Sequence, residues 1–190
     1  MHESSFIVNW KSEIVKRPVD CLRLRFILFS LIRIMLNVAL VEPEIPPNTG
    51  NIARLCAATF TNLHIIGATG FRLDDRAVRR AGLDYWDEVR LFRHRDLQSL
   101  YDALPASRFL YFTTKTTRRY TDCKYRDGDC LVFGRETRGL PEELLEANRE
   151  NCLTIPMPNE KIRSLNLANS VGIVLYEALR QSELASGEKK

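Results

Sequence analysis

The chain has 190 residues, of which 45% are hydrophobic, and a formal net charge of +4. This length suffices for one domain with a substantial core, and the apolar content is ordinary for a globular protein. The five cysteines are widely spaced without a C-x-x-C pair and the three histidines are scattered, which argues against a disulfide framework and a zinc site. We therefore predict free thiols in a reducing cytoplasm and no bound metal.

Residues 1–34 precede the first domain-like pattern. They hold six basic and three acidic side chains, so the rest of the chain carries a net charge of only +1, and local arginine clusters must account for any nucleic-acid binding. The apolar run that starts at Phe26 is interrupted by Arg33 and is too short to span a bilayer. No small-residue cleavage site of a signal peptide follows it. Three interpretations stay open: a disordered extension, a basic helix, or an untranslated segment with Met35 as the initiator.

Short apolar runs and helical patterns alternate from residue 35 to residue 181. This alternation predicts one α/β domain over residues 35–181, with a mainly parallel sheet and helices on both faces. The predicted strands are 37–41, 63–66, 109–112, 130–133 and 152–155. The predicted helices are 51–59, 74–81, 96–104, 141–147 and 166–181. Asp96 is the expected N-cap of the third helix, and residues 182–190 are predicted to form a flexible tail.

Glycine-rich phosphate loops do not follow any predicted strand, since the sequence has neither G-x-G-x-x-G nor G-x-x-x-x-G-K-[ST]. Ligand sites in open parallel sheets lie outside the carboxyl ends of the strands. Residues 113–115, 134–136 and 156–167 each follow a predicted strand, and Gly134 lets backbone approach a ligand closely. Each segment alone is typical of an ordinary turn, but the three together predict one ligand site.

Two arginine-containing segments are candidates for contact with RNA. Residues 48–54 follow a Pro-Pro turn and predict a helix start whose free N–H groups favour an anion such as a ribose phosphate, with Arg54 one turn further on. Arg76, Arg79 and Arg80 form a basic helical patch near aromatic residues, which suits phosphate contacts. The alternatives stay open: Asn48 as a helix cap, and the arginines as solvated surface residues. Glu136 is the one carboxylate in the predicted site, and either a ligand contact or an ion pair with Arg138 would explain it.

Three ordered motifs resemble those of the SPOUT superfamily of S-adenosylmethionine-dependent RNA methyltransferases, most closely its tRNA 2′-O-methyltransferase branch. N-x-G-N-I-x-R occurs at residues 48–54, F-G-x-E-x-x-G-L at 133–140 and I-P-M…S-L-N-L-x-x-S at 155–170. The runs 42–51 and 79–85 narrow the resemblance to the small single-domain enzymes that methylate the wobble nucleotide, cytidine or uridine 34. The resemblance covers residues 35–181 and leaves residues 1–34 outside it.

The resemblance implies an α/β fold with a C-terminal trefoil knot, and a homodimer with the active site near the subunit interface. It also implies S-adenosylmethionine as cofactor and tRNA as substrate. The cofactor contacts that it implies are Phe112, Thr113, Gly134, Ile155, Ser164 and Leu165. The substrate contacts that we expect are Asn48, Glu136, Asn166, Arg76, Arg79 and Arg80. Arg54 matches the arginine thought to act on the ribose hydroxyl.

Arg135 departs from the family pattern, because close relatives often have proline at this position. We expect this extra cation to alter the affinity for a sulfonium slightly without changing the class of protein. Two alternative functions stay open. One is a SPOUT enzyme for ribosomal RNA or another tRNA position, and the other is a non-catalytic RNA-binding scaffold that retains the fold.

Overall fold

The computed structural model describes residues 35–71 and 86–185. The predicted extension 1–34 and the predicted helix 74–81, which carries Arg76, Arg79 and Arg80, lie outside the described residues. The predicted bounds of the domain, its extension and its tail therefore stay predictions.

Six strands of the described residues form one parallel sheet, in the order β3-β2-β1-β5-β4-β6. Their bounds are Asn37–Val41 (β1), Asn62–Ile66 (β2), Leu91–His94 (β3), Phe109–Phe112 (β4), Cys130–Phe133 (β5) and Cys152–Leu153 (β6). Strand β1 is buried along its whole length, and its Val38 lies opposite Leu63 of β2 and Leu131 of β5. A continuous apolar run is what a central parallel strand requires, because both of its faces are covered.

Helices cover both faces of this sheet. Their bounds are Pro46–Thr59 (α1), Leu97–Ala103 (α2), Glu142–Ala147 (α3) and Leu167–Ala185 (α4). Side chains alternate along β1, so that Val38 and Leu40 pack with α1 and α4, whereas Ala39 and Val41 pack with α2 and α3. The predicted α/β architecture with helices on both faces is confirmed. The trefoil knot that the resemblance implies stays a prediction.

Several helix ends differ from the predicted bounds. Helix α1 begins at Pro46, five residues before the predicted start, because the first turn of a helix needs no backbone N–H and so accepts proline. Helix α4 continues to Ala185, past the predicted end at residue 181. Pro141 is the N-cap of α3 and not part of its first turn. The predicted cap of α2 is confirmed, since the Asp96 carboxylate accepts a hydrogen bond from the Ser99 N–H at 2.8 Å.

The sheet also differs from prediction at both of its edge strands. Strand β3 was not predicted, and β6 ends at Leu153 instead of residue 155. Thr154 forms only an isolated bridge with Arg119, so the ladder stops there. Within the two described ranges, each helix falls short of the length and apolarity that a membrane crossing requires.

Candidate functional site

A cavity of about 520 Å³ opens where β4 and β5 end. Phe112 and Phe133, the last residues of these strands, line it and stack with their ring centroids 4.7 Å apart. The loops that follow β4, β5 and β6 and the start of α4 supply the rest of the wall. The volume falls within the range of small-molecule sites, and the position is the expected one for a ligand of a parallel sheet.

The structure brings most of the predicted site residues together around this one cavity. All six predicted cofactor contacts line it: Phe112, Thr113, Gly134, Ile155, Ser164 and Leu165. Three predicted substrate contacts also line it: Asn48, Glu136 and Asn166. Their individual roles stay predictions.

Arg54 is placed differently. It is exposed on α1 and is not among the residues that line the cavity. Asn48 does line the cavity, and Arg54 follows it by six residues, which is about 9 Å along a helix axis. The catalytic role of Arg54 therefore stays a prediction.

The two glycines of the F-G-x-E-x-x-G-L motif are required by a tight turn. The Arg135 N–H donates to the Gly139 carbonyl at 3.2 Å, and the Gly139 N–H donates back to the Arg135 carbonyl at 2.9 Å. A Cβ on Gly134 would overlap the backbone of Gly139 and Leu140. Gly139 itself has a φ of +69°, in the left-handed region that favours glycine. The sequence pattern therefore specifies the shape of the cavity wall.

Glu136 holds the loop that leads into α1. Its Oε2 accepts from the Glu44 N–H at 2.8 Å, and its Oε1 accepts from the Ile45 N–H at 3.2 Å and from Asn48 Nδ2 at 3.0 Å. A negative charge is also favoured there by the helix dipole. The anion that the sequence led us to expect at this helix start is therefore supplied by the chain itself. An ion pair between Glu136 and Arg138 is not seen among the described contacts.

Asn48 connects the three motifs. Its Nδ2 donates to Glu136, and its Oδ1 accepts from Asn166 Nδ2 at 2.9 Å. Asn166 Oδ1 in turn accepts from the N–H groups of Ala168 at 2.9 Å and Asn169 at 3.3 Å, which caps α4. One chain of hydrogen bonds thus joins the loop after β5 to the starts of α1 and α4.

Two further contacts tie the same loops. Glu44 Oε2 accepts from the Thr137 N–H at 3.1 Å and from the Thr137 hydroxyl at 2.7 Å. Arg135 forms an ion pair with Glu42. The cation that departs from the family pattern is therefore paired with a carboxylate that does not line the cavity. Its expected effect on sulfonium affinity stays a prediction.

Sequence reasoning missed Arg163 and treated Arg138 only as a partner for Glu136. Both side chains are exposed and line the cavity. The available signal was position, because Arg163 directly precedes the S-L-N-L segment and Arg138 lies inside F-G-x-E-x-x-G-L.

The lining of the cavity fits S-adenosylmethionine. Aromatic and aliphatic side chains such as Phe112, Phe133 and Ile155 suit the face of a purine, and the hydroxyl groups of Thr113 and Ser164 can bond to polar atoms. This cofactor is a nucleoside without phosphate groups, so a site for it needs no glycine-rich phosphate loop.

Several known proteins are similar to this chain in sequence and fold. A tRNA (cytidine(34)-2′-O)-methyltransferase from Escherichia coli strain K12 is 51% identical over 148 residues, which cover 77% of this chain and 94% of that enzyme. A solved structure concerned with the 2-OH methylation of C/U34 on tRNA is 44% identical with a TM-score of 0.74, covering 81% of this chain and 98% of the other. An AdoMet-bound rRNA methyltransferase from Sinorhizobium meliloti is 25% identical with a TM-score of 0.69, covering 77% of this chain and 56% of the other.

Residues 35–176 match the family described as SpoU rRNA Methylase. This stretch includes all three motifs, which lie between residues 48 and 170. With a match over most of its length, the chain belongs to the SpoU rRNA methylase family.

Proposed function

We propose that this chain transfers a methyl group from S-adenosylmethionine to the ribose 2′-oxygen of the wobble nucleotide, cytidine or uridine 34, in tRNA. The observation that carries the proposal is the convergence of three motifs on one cavity at the carboxyl edge of the sheet. The E. coli relative named for this reaction supports it, because half of the aligned residues are identical and 94% of that enzyme is covered. The ribosomal RNA alternative has less support, since the rRNA methyltransferase compared above is only 25% identical.

A bound S-adenosylmethionine would supply an electrophilic methyl group. We assign its binding to Phe112, Thr113, Gly134, Ile155, Ser164 and Leu165. The hydrogen-bond chain through Glu136, Asn48 and Asn166 holds their loops in place before any ligand arrives. Such preorganisation supports catalysis because it places the reacting groups in line without further loss of entropy.

The ribose hydroxyl is a poor nucleophile at neutral pH and needs help as it attacks. A guanidinium stays protonated and is a poor general base. We assign to Arg54 an electrostatic role, in which its charge lowers the pKa of the hydroxyl or binds the adjacent phosphate. Arg54 does not line the cavity of its own subunit. In a homodimer with the active site near the subunit interface, Arg54 could act at the cavity of the partner subunit. We propose that this homodimer acts in the cytoplasm.

The test is to incubate the full chain with S-adenosylmethionine and unmodified tRNA, and to map the methylated nucleoside by mass spectrometry. We expect 2′-O-methylation at position 34. We expect Arg54→Ala to lower turnover by about 100-fold, the scale of a lost oxyanion contact, while calorimetry shows unchanged affinity for S-adenosylmethionine. Methylation of ribosomal RNA or of another tRNA position would favour the first alternative. An absence of cofactor binding would favour the scaffold.

A further inference from the structure

The rim of the cavity carries unpaired positive charge. The cationic side chains that line the cavity are Lys115, Arg135, Arg138 and Arg163. Lys115 pairs with Glu142 at 3.1 Å, and Arg135 pairs with Glu42. Arg138 and Arg163 are exposed and have no hydrogen-bond or ion-pair partner for their side chains within residues 35–71 and 86–185.

The acidic residue of the lining does not compensate for this charge. Among the described residues, Glu136 is the only carboxylate that lines the cavity. Its oxygen atoms accept hydrogen bonds from the Glu44 and Ile45 N–H groups and from Asn48, so they face the start of α1. A sulfonium cofactor would add a further positive charge. Electrostatic complementarity therefore favours an anion at the rim.

Arg138 is held in position by its neighbours. The preceding residue, Thr137, bonds to Glu44 through both its N–H and its hydroxyl, and the following residue, Gly139, exchanges two backbone hydrogen bonds with Arg135. The backbone of Arg138 is therefore fixed on both sides, whereas its side chain is exposed and unpaired. A site that binds an external ligand has this combination, because little backbone entropy is lost on binding.

Arg163 lies in the loop between β6 and α4, with a hydrogen-bonded residue on each side of it in the sequence. The Ile162 N–H donates to the Asn159 carbonyl at 3.1 Å, and Asn166 bonds to Asn48. Arg163 therefore follows a local turn and lies three residues before a residue that is bonded to the start of α1.

The chemistry of the substrate places an anion at this position. In a ribonucleotide the 2′-carbon is bonded to the 3′-carbon, which carries the phosphodiester group. A cavity that delivers a methyl group to the 2′-oxygen therefore has a phosphate next to it. Guanidinium groups bind phosphate through two parallel N–H donors, which fixes orientation as well as charge.

We propose that Arg138 and Arg163 bind the phosphodiester groups that flank the methylated nucleotide, and so position its ribose at the cavity. This inference rests on the proposed function, whose substrate site it specifies. The two arginines are positioning residues that recognise the RNA backbone and not its sequence.

The experiment measures binding of a synthetic anticodon stem-loop RNA with cytidine at position 34, by fluorescence anisotropy at several salt concentrations. We expect Arg138→Ala and Arg163→Ala each to weaken RNA binding by about tenfold. The slope of log affinity against log salt should fall by about 0.7 for each phosphate contact that is lost. Lysine at either position should restore part of the affinity, and calorimetry should show unchanged affinity for S-adenosylmethionine.

Arg126→Ala is the matched control. Arg126 is exposed and does not line the cavity. It precedes β5, so it lies near the amino end of that strand, whereas the cavity lies at the carboxyl end. It should leave RNA affinity and the salt slope unchanged. Unchanged RNA affinity and salt slope in the Arg138→Ala/Arg163→Ala double variant would overturn the inference, as would losses of the same size in Arg126→Ala.

This inference and the proposed function fail in different ways. If the wild-type protein methylates position 34 but the double variant binds RNA normally, only the inference is wrong. If the two substitutions weaken RNA binding but position 34 is not methylated, the proposed function is wrong. The assignment of Arg138 and Arg163 to phosphate contacts would then hold for a different RNA substrate.

Discussion

Gly134 shows how one missing side chain can shape a site. Its hypothetical Cβ would overlap backbone atoms of Gly139 and Leu140, which cannot move unless the turn after β5 opens. Opening that turn would displace Glu136, and with it the hydrogen bonds that hold the start of α1. We therefore expect Gly134→Ala to lower the affinity for S-adenosylmethionine by about 100-fold, as measured by calorimetry, and to lower the melting temperature.

Gly70→Ala provides the control for that substitution. Gly70 is exposed and does not line the cavity, and a Cβ there would come no closer than 3.7 Å to the Glu44 carbonyl oxygen. Both changes add one methyl group, but only the methyl group at residue 134 would overlap backbone atoms, whereas the one at residue 70 would lie at an ordinary contact distance. Equal cofactor affinity in the two variants would contradict the role assigned to Gly134.

At the scale of the element, sequence patterns predicted the inner strands better than the two edge strands, β3 and β6. Apart from Asn37 at the start of β1, strands β1, β4 and β5 are apolar runs inside the sheet, and their bounds were predicted as they are found. Strand β3 lies at the edge with exposed Phe92 and Arg93, so it shows neither a buried run nor a clean alternation. Helix α1 was predicted too short because its two prolines were taken to belong to a preceding turn.

The same edge strand completes a buried polar cluster that the sequence did not reveal. His64 of β2 is 3% exposed, and its Nδ1 lies 2.9 Å from Nε2 of His94 on β3. Its Nε2 lies 3.2 Å from Oδ1 of Asn37 on β1, which also accepts from Asn62 Nδ2 at 2.9 Å. Because the Asn37 oxygen can only accept, His64 donates from Nε2 and accepts at Nδ1. Burial, followed by repulsion from His94, lowers the pKa of His64 from 6.5 to about 4.

This cluster predicts a loss of stability in mild acid. Between about pH 6.5 and about pH 4 the unfolded chain protonates His64 whereas the folded chain does not, so the free energy of unfolding falls as the pH is lowered through this window. The whole shift corresponds to about 3 kcal/mol. Urea unfolding from pH 7 to pH 5.5 should therefore show a weaker pH dependence in His64→Gln, which keeps a donor and an acceptor. Equal slopes in wild type and variant would contradict the assignment.

For the whole molecule, the sequence located the site but not the contacts that build it. The rule that ligands lie at the carboxyl ends of parallel strands was enough to group the segments 113–115, 134–136 and 156–167, and residues of all three line the one cavity. The partners of Glu136 could not be predicted, because they are backbone N–H groups, and Glu44 lies 92 residues away along the chain. Every residue except proline has a backbone N–H group, so the sequence does not show which of them a carboxylate will bind. A carboxylate with a structural role therefore cannot be distinguished by sequence from one that contacts a substrate.

The proposed homodimer makes a prediction about α4. Tyr176 is 57% exposed and Ile173 is 38% exposed, and residues three apart lie on one side of a helix. A second copy of the chain that covered these side chains would remove apolar surface from water. We expect the wild-type protein to sediment as a dimer, and Tyr176→Glu to raise the dimer dissociation constant by about 100-fold, since the variant would bury a charge in place of an aromatic ring. Ala106→Glu adds the same charge at an exposed position in the loop after α2, whose helix packs on the other face of the sheet, and should leave the dimer intact. A monomeric wild type, or a dimer that Tyr176→Glu does not weaken, would show that this face of α4 is not the subunit interface.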